Sequence, residues 1–285
     1  MRKQRLFKTV RGEVRSAAEV FNLMGALEQR AALFAAMDDT SHEYWIDLPA
    51  ARPYVRDLQL FGVRQHMPLI FAAWECMPPD DFVRVLKLLC ALAFRYTVIG
   101  GRNTNELEPA YHRAAKGLLD GQIVTPAAVF QSLRDIYVGD EHFVREFATK
   151  EIETHGRRKK LAKYVLCQLE GDVSGRLPDW ETDAGTIEHV LPENPTSVWD
   201  ESFQPERQKD FIYRIGNLLL LESSINREAQ NAPFAEKLAL YGKSAYAGAR
   251  DLAASDQVEW TPASLDARQS RMAQRAAHVW RSDFA

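Results

Sequence analysis

Apolar positions return every three or four residues along most of the first 170 positions, which predicts helix after helix. Val14, Ala18, Phe21, Met24, Leu27, Ala31 and Phe34 form one series, and Asp38, Asp39 and Thr40 close it. A second apolar segment spans 67–74. Pro78-Pro79-Asp80 then restarts the chain with residues favoured in a first helical turn. In the helix that follows, Phe82, Val83, Val85, Leu86, Leu88, Leu89, Leu92 and Phe94 point almost all round, so it is expected to be central. Gly100-Gly101 ends it. Further helices are expected at 106–119, 126–137 and 141–152, with Thr125-Pro126 as a start signal.

The pattern changes at Gly171. Gly171, Gly175, Pro178, Gly185, Pro192 and Pro195 crowd together and exclude long helices there, which marks a boundary with a loop-rich unit beyond it. Two short strands are expected, at 186–191 and 216–221. Ser223 or Ser224 can cap a short helix near Ile225, and Asn231 can cap another through Phe234, Leu238 and Tyr241. A terminal helix is expected at 262–281, with Leu265, Met272, Ala276 and Trp280 on its apolar side. The expected fold class is therefore mainly α: a helical domain at 1–172, then a unit at 173–285 whose core, 186–244, reads strand, strand, short helix.

Composition narrows the class. With 46% hydrophobic and 26% charged residues, the 285-residue chain has the balance of a folded protein rather than a disordered one. Its 36 basic and 39 acidic residues leave a net charge of -3, so any nucleic-acid face must be local. Cys76, Cys90 and Cys167 are odd in number and lack C-x-x-C spacing, which argues against a disulfide framework or thiolate zinc site and fits a reducing cytoplasm. The apolar run at 67–74 stops at Glu75, far short of the roughly 20 residues of a membrane helix. Positions 1–16 carry six basic residues and no apolar stretch after them, so they read as a basic arm or a cut edge, not a signal peptide. Arg157, Arg158, Lys159, Lys160 and Lys163 form a second basic run: a solvated helix face, or a strip that contacts phosphates.

The interval from Glu188 to Asn226 carries the candidate chemistry. It places an acid and a histidine on one strand, Asn217 on the second, and Asn226 at the start of the following helix. A carboxylate and an amide oxygen suit a hard divalent ion that keeps waters and binds phosphate oxygens. A histidine beside them can take a proton from water near neutral pH. One stereochemical condition applies: Glu188 and His189 are adjacent, so a regular strand sends them to opposite faces. They meet only if the strand end is irregular, which Pro192 allows. His42, His66, His112, His142, His155 and His278 read as ordinary surface or core residues. Trp199, Trp260 and Trp280 read as core. Arg268, Arg271 and Arg275 share a helix face that follows a DNA backbone or is simply solvated.

The stretches I187-E-H-V-L-P192, R214-I-G-N-L-L-L-L221 and I225-N226 resemble the HNH endonuclease signature. With Trp199, N231-A-P-F-A-E-K237, Tyr241, Ser244 and W260-T-P-A-S-L-D-A-R268, the pattern is similar to the C-terminal nuclease domain of GmrSD-type, modification-dependent restriction systems. The likeness is strong from Ile187 to Ser244 and looser before it, where F94-R95-Y96 resembles the connecting domain. Glu188 stands where many HNH enzymes have aspartate, and Asn226 where many have histidine.

The resemblance implies a ββα-metal endonuclease. His189 would be the general base and Asn217 the brace that aims it. Glu188 and Asn226 would hold one Mg²⁺ or Mn²⁺, with Lys237 and Arg214 as substrate contacts. It further implies DNA, in modified form, as substrate, nicked one strand at a time, with a dimer needed for double-strand breaks. No Gly-rich phosphate loop occurs, so an NTP-hydrolysing sensor module is expected on another chain or in a missing N-terminal half, this chain being the effector half. Two other readings stay open: a non-catalytic interaction subunit with a degenerate ββα unit, and an RNA-cutting toxin.

Overall fold

The computed structural model describes residues 3–285, with side chains from Lys8 onward. The first seven positions of the expected basic arm thus lie wholly or partly outside the described residues. The fold is mainly α, with a single two-stranded sheet among the described residues. The chain packs into two compact units, Met1–Cys90 with Thr104–Asp135, and Ala91–Asn103 with Ile136–Ala285.

The first unit holds α1 (Lys3–Glu13), α2 (Ala17–Asp38), α3 (Arg52–Phe61), α4 (Met67–Cys76), most of α5 (Pro79–Ala93), α6 (Glu108–Leu119) and α7 (Pro126–Ser132). Its core gathers Leu33, Trp45, Val55, Leu69, Phe82 and Tyr111. Ser16 opens α2 with a capping box to Glu19, satisfying two backbone donors at the helix start. The apolar stripe expected on α2 is largely exposed, at Phe21, Met24, Leu27 and Phe34. Only Leu33, Ala36 and Met37 in its last turns are buried, because α3 and α4 meet the helix there. Thr125 caps α7 by accepting from the amide of Ala128, as its place before Pro126 predicts.

The second unit begins where α5 gives way to a π-helical turn at Phe94–Ile99. Here Arg95 is fully buried and donates to the carbonyls of Trp280, Val138 and Ala277 while pairing with Asp140. Phe94 stacks on Trp280 with ring centres 4.0 Å apart. Then come α8 (Asp140–Phe147), α9 (Gly156–Ser174), β1 (Thr186–His189), α10 (Lys209–Ile212), β2 (Leu218–Leu221), α11 (Ser223–Ala229), α12 (Phe234–Tyr241), α13 (Ala247–Ala253) and α14 (Pro262–Val279). The boundary read at 172/173 falls inside this unit, at the end of α9, which packs on the sheet, α13 and α14.

Strands β1 and β2 are antiparallel, pairing Thr186 with Leu221, Ile187 with Leu220, Glu188 with Leu219 and His189 with Leu218. Directly paired residues share a face of the sheet. Glu188 thus lies on the side of Leu219 and Leu221, in the core with Trp199, Phe234, Tyr241 and Trp260. Trp199, Trp260 and Trp280 are buried core residues. Two expected caps are absent. No side-chain cap forms at the start of α11 or α12, whose N-cap residues are Glu222 and Pro233 rather than Ser223, Ser224 or Asn231. The three cysteines are free, and no helix among the described residues is long and apolar enough to cross a membrane.

Candidate active site

The loop that leaves β1 is held by one amide. Asn217 is fully buried, and its Oδ1 accepts from the Leu191 backbone at 2.8 Å and from Trp260 Nε1 at 3.0 Å. Its Nδ2 donates to the carbonyls of Leu191 and Ile212, both at 2.9 Å. Two acceptor sites and two donors are all an amide has, so Asn217 is saturated by structure and touches no substrate.

The strand alternation then separates the acid from the base. Glu188 Oε1 accepts from Lys237 Nζ at 2.7 Å and Tyr241 OH at 2.8 Å. Burial raises its pKa, and Lys237 opposes that rise. Lys237 is completely buried and also donates to the His189 carbonyl at 2.9 Å. Burial lowers its pKa, against the pull of Glu188. For this pair we take the ionised form, because the ammonium has a carboxylate and a carbonyl to donate to and the carboxylate has two donors. Lys237, expected to contact substrate, is instead the internal counter-ion of Glu188.

Arg214 is corrected in the same way. Its guanidinium donates to Gln269, the Ala148 carbonyl and Asp266, with 11% of the side chain exposed. Arg268 is buried and donates to the carbonyls of Gly216 and Leu218, so it ties α14 to β2 rather than following a DNA backbone. Both guanidinium groups make their recorded contacts inside the unit.

His189 leaves the other side of β1 and reaches a cavity of about 310 Å³ that Thr154, His155, Lys159, Glu193 and Asn226 also line. Its Nε2 lies 3.2 Å from Thr154 Oγ1 and 3.5 Å from Glu193 Oε1. The Tyr213 ring stands edge-on to it at 6.0 Å. Burial pushes the imidazole pKa down to about 4, with Glu193 pulling the other way, so the ring is neutral near pH 7 and able to accept a proton. His155, read from sequence as ordinary, places Nε2 3.0 Å from Glu193 Oε1 and 3.0 Å from the Tyr213 hydroxyl. Thr154, His155, Glu193 and Tyr213 carried no signal in the sequence, since only folding brings them to His189.

Asn226 donates through Nδ2 to Thr186 Oγ1 at 2.9 Å and to the Ile187 carbonyl at 3.1 Å. Both donors are committed to the edge of β1, leaving its Oδ1 as a cation donor. Glu188 and Asn226, the expected metal pair, both line the His189 cavity, and Lys237 and Tyr241 meet only Oε1 of the carboxylate. Among the described residues no group of three or more His, Cys, Asp or Glu side chains is placed to hold a metal ion.

Residues 137–275 match the family described as GmrSD restriction endonucleases, C-terminal domain. The match covers just under half of the chain and makes this segment similar to that family. A comparison with curated proteins finds no match. The matched segment begins just before α8 and ends in α14, so it contains both strands, the Asn217 brace and every residue named around His189.

Proposed function

We propose that this chain is a nuclease of the restriction-endonuclease type that hydrolyses phosphodiester bonds in DNA, with His189 as general base. The observation that carries the reading is a neutral imidazole at the wall of an open cavity, inside a segment that matches an endonuclease domain. His189 takes a proton from water, the water oxygen bonds to phosphorus, and the bond from phosphorus to the 3′ oxygen breaks. One base per chain supports nicking of single strands, with a dimer required for double-strand breaks. The effector half of a modification-dependent defence system remains our reading of its place, with an NTP-hydrolysing sensor module as partner and modified DNA as target.

The experiment is plasmid nicking by the full chain with Mg²⁺, with Mn²⁺ and with EDTA. Cleavage is expected only with a divalent ion, because Mg²⁺ needs few protein ligands when a substrate phosphate supplies the rest. His189→Ala should lower the rate by about 10²–10⁴, the usual size of a general-base contribution. Cleavage that survives His189→Ala sinks the assignment. A second reading, a non-catalytic interaction subunit, is favoured by one observation: the acid of the Glu-His pair is neutralised internally by Lys237. A chain that nicks neither DNA nor structured RNA under any metal condition supports that reading.

A further inference from the structure

We infer that Thr154 and Glu193 are positioning residues for His189, forming a hydrogen-bond relay that fixes the imidazole as the Nε2–H tautomer and presents Nδ1 as the proton acceptor; this rests on the proposed role of His189 as base. The argument is a count of protons. A carboxylate only accepts, and a threonine hydroxyl has one proton to give. Thr154 Oγ1 lies 2.9 Å from Glu193 Oε1, so that proton goes to the carboxylate. The same oxygen lies 3.2 Å from His189 Nε2, and with its proton spent it accepts, so Nε2 carries the hydrogen. A neutral imidazole has one N–H, which leaves the lone pair on Nδ1.

The carboxylate is itself braced. Thr154 donates to Glu193 Oε1, and His155 Nε2 lies 3.0 Å from the same oxygen. Tyr213 stands edge-on to both imidazoles, at 5.8 Å from His155 and 6.0 Å from His189. Behind the ring, Lys237 holds the His189 carbonyl, so backbone and side chain are fixed from opposite sides. When Nδ1 takes a proton from water, the ring becomes imidazolium, Nε2–H stays on Thr154, and the Glu193 charge 3.5 Å away stabilises the cation without accepting a proton.

Long-range ¹H–¹⁵N spectra of the full chain labelled with ¹⁵N-histidine, near pH 7, read the tautomer directly; the His189 signals are those lost in His189→Gln. The expected spectrum shows a protonated Nε2 and an unprotonated Nδ1. Thr154→Ser should keep it, whereas Glu193→Ala frees the threonine proton and should give a mixture of both tautomers, with thermal melts confirming folded variants. In plasmid nicking, Glu193→Ala and Thr154→Val should each lower kcat by about 10-fold or more with little change in KM, and Thr154→Ser should restore it. A wild-type chain in the Nδ1–H form, or a Glu193→Ala spectrum identical to that of wild type, overturns the relay. The expected spectra in a chain that cleaves nothing uphold the relay and sink the nuclease reading instead.

Discussion

At the scale of single residues, burial decides what each titratable side chain can do. His66, at the start of α4, is 3% exposed, its Nδ1 has no hydrogen-bond partner among the described residues, and loss of solvent pushes its pKa down to about 4. The folded form therefore refuses a proton that the unfolded chain accepts below about 6.5. Stability should fall as pH drops from about 6.5 to 4, by up to about 3 kcal/mol from this residue, and His66→Leu should flatten that part of a urea-unfolding series against pH. Glu188 and Lys237 pose the opposite case, two buried charges that need each other. Lys237→Met strands a carboxylate and should cost about 3–5 kcal/mol, while Lys237→Met with Glu188→Leu should recover much of it. A double-mutant cycle by urea unfolding checks both. The alternation that parts Glu188 from His189 was readable in the sequence; the lysine waiting on the inner side was not, because position 237 is 49 residues further on and meets 188 only in the packed unit.

At the scale of elements, most of the helices followed from apolar spacing and from start signals such as Thr125-Pro126. Both strands lay within the predicted segments, each trimmed to four residues. What spacing could not supply was the partner of each face. The α2 stripe has the period of a buried helix yet is mostly exposed, since periodicity records amphipathicity and not what covers it. Gly216, read as the first residue of the second strand, is required by its close packing. A Cβ there would come within 2.7 Å of Gln269 Cβ and 2.9 Å of the Leu265 carbonyl on α14. Gly216→Ala should therefore push α14 away from the entry to β2 and cost about 1–3 kcal/mol, read as a lower urea midpoint. The same substitution should weaken nicking, because Asn217 is the next residue and braces the loop after β1.

At the scale of the whole molecule, a net charge of -3 leaves DNA attraction to local groups. Arg157, Lys159 and Lys160 at the start of α9 are exposed, and Lys159 lines the His189 cavity. Replacing Lys159 and Lys160 by Ala should reduce the salt dependence of duplex binding by about one unit of log–log slope per lost phosphate contact. Fluorescence anisotropy over a salt series measures it; an unchanged slope returns this run to a solvated face. The sequence alone determined the helical class, the two short strands, and the Glu-His, Asn and Asn positions between 188 and 226, because these depend on local periodicity and on order along the chain. Only tertiary structure decided which of those groups face the cavity. It turned Glu188 inward onto Lys237, engaged Arg214 with Gln269, Asp266 and the Ala148 carbonyl, and set Arg268 on the carbonyls of Gly216 and Leu218. It also brought Thr154, His155, Glu193 and Tyr213 around His189. The physical reason is that a side chain's chemistry is set by which solvent and partners remain after packing, and packing joins residues whose separation along the chain carries no trace of the contact.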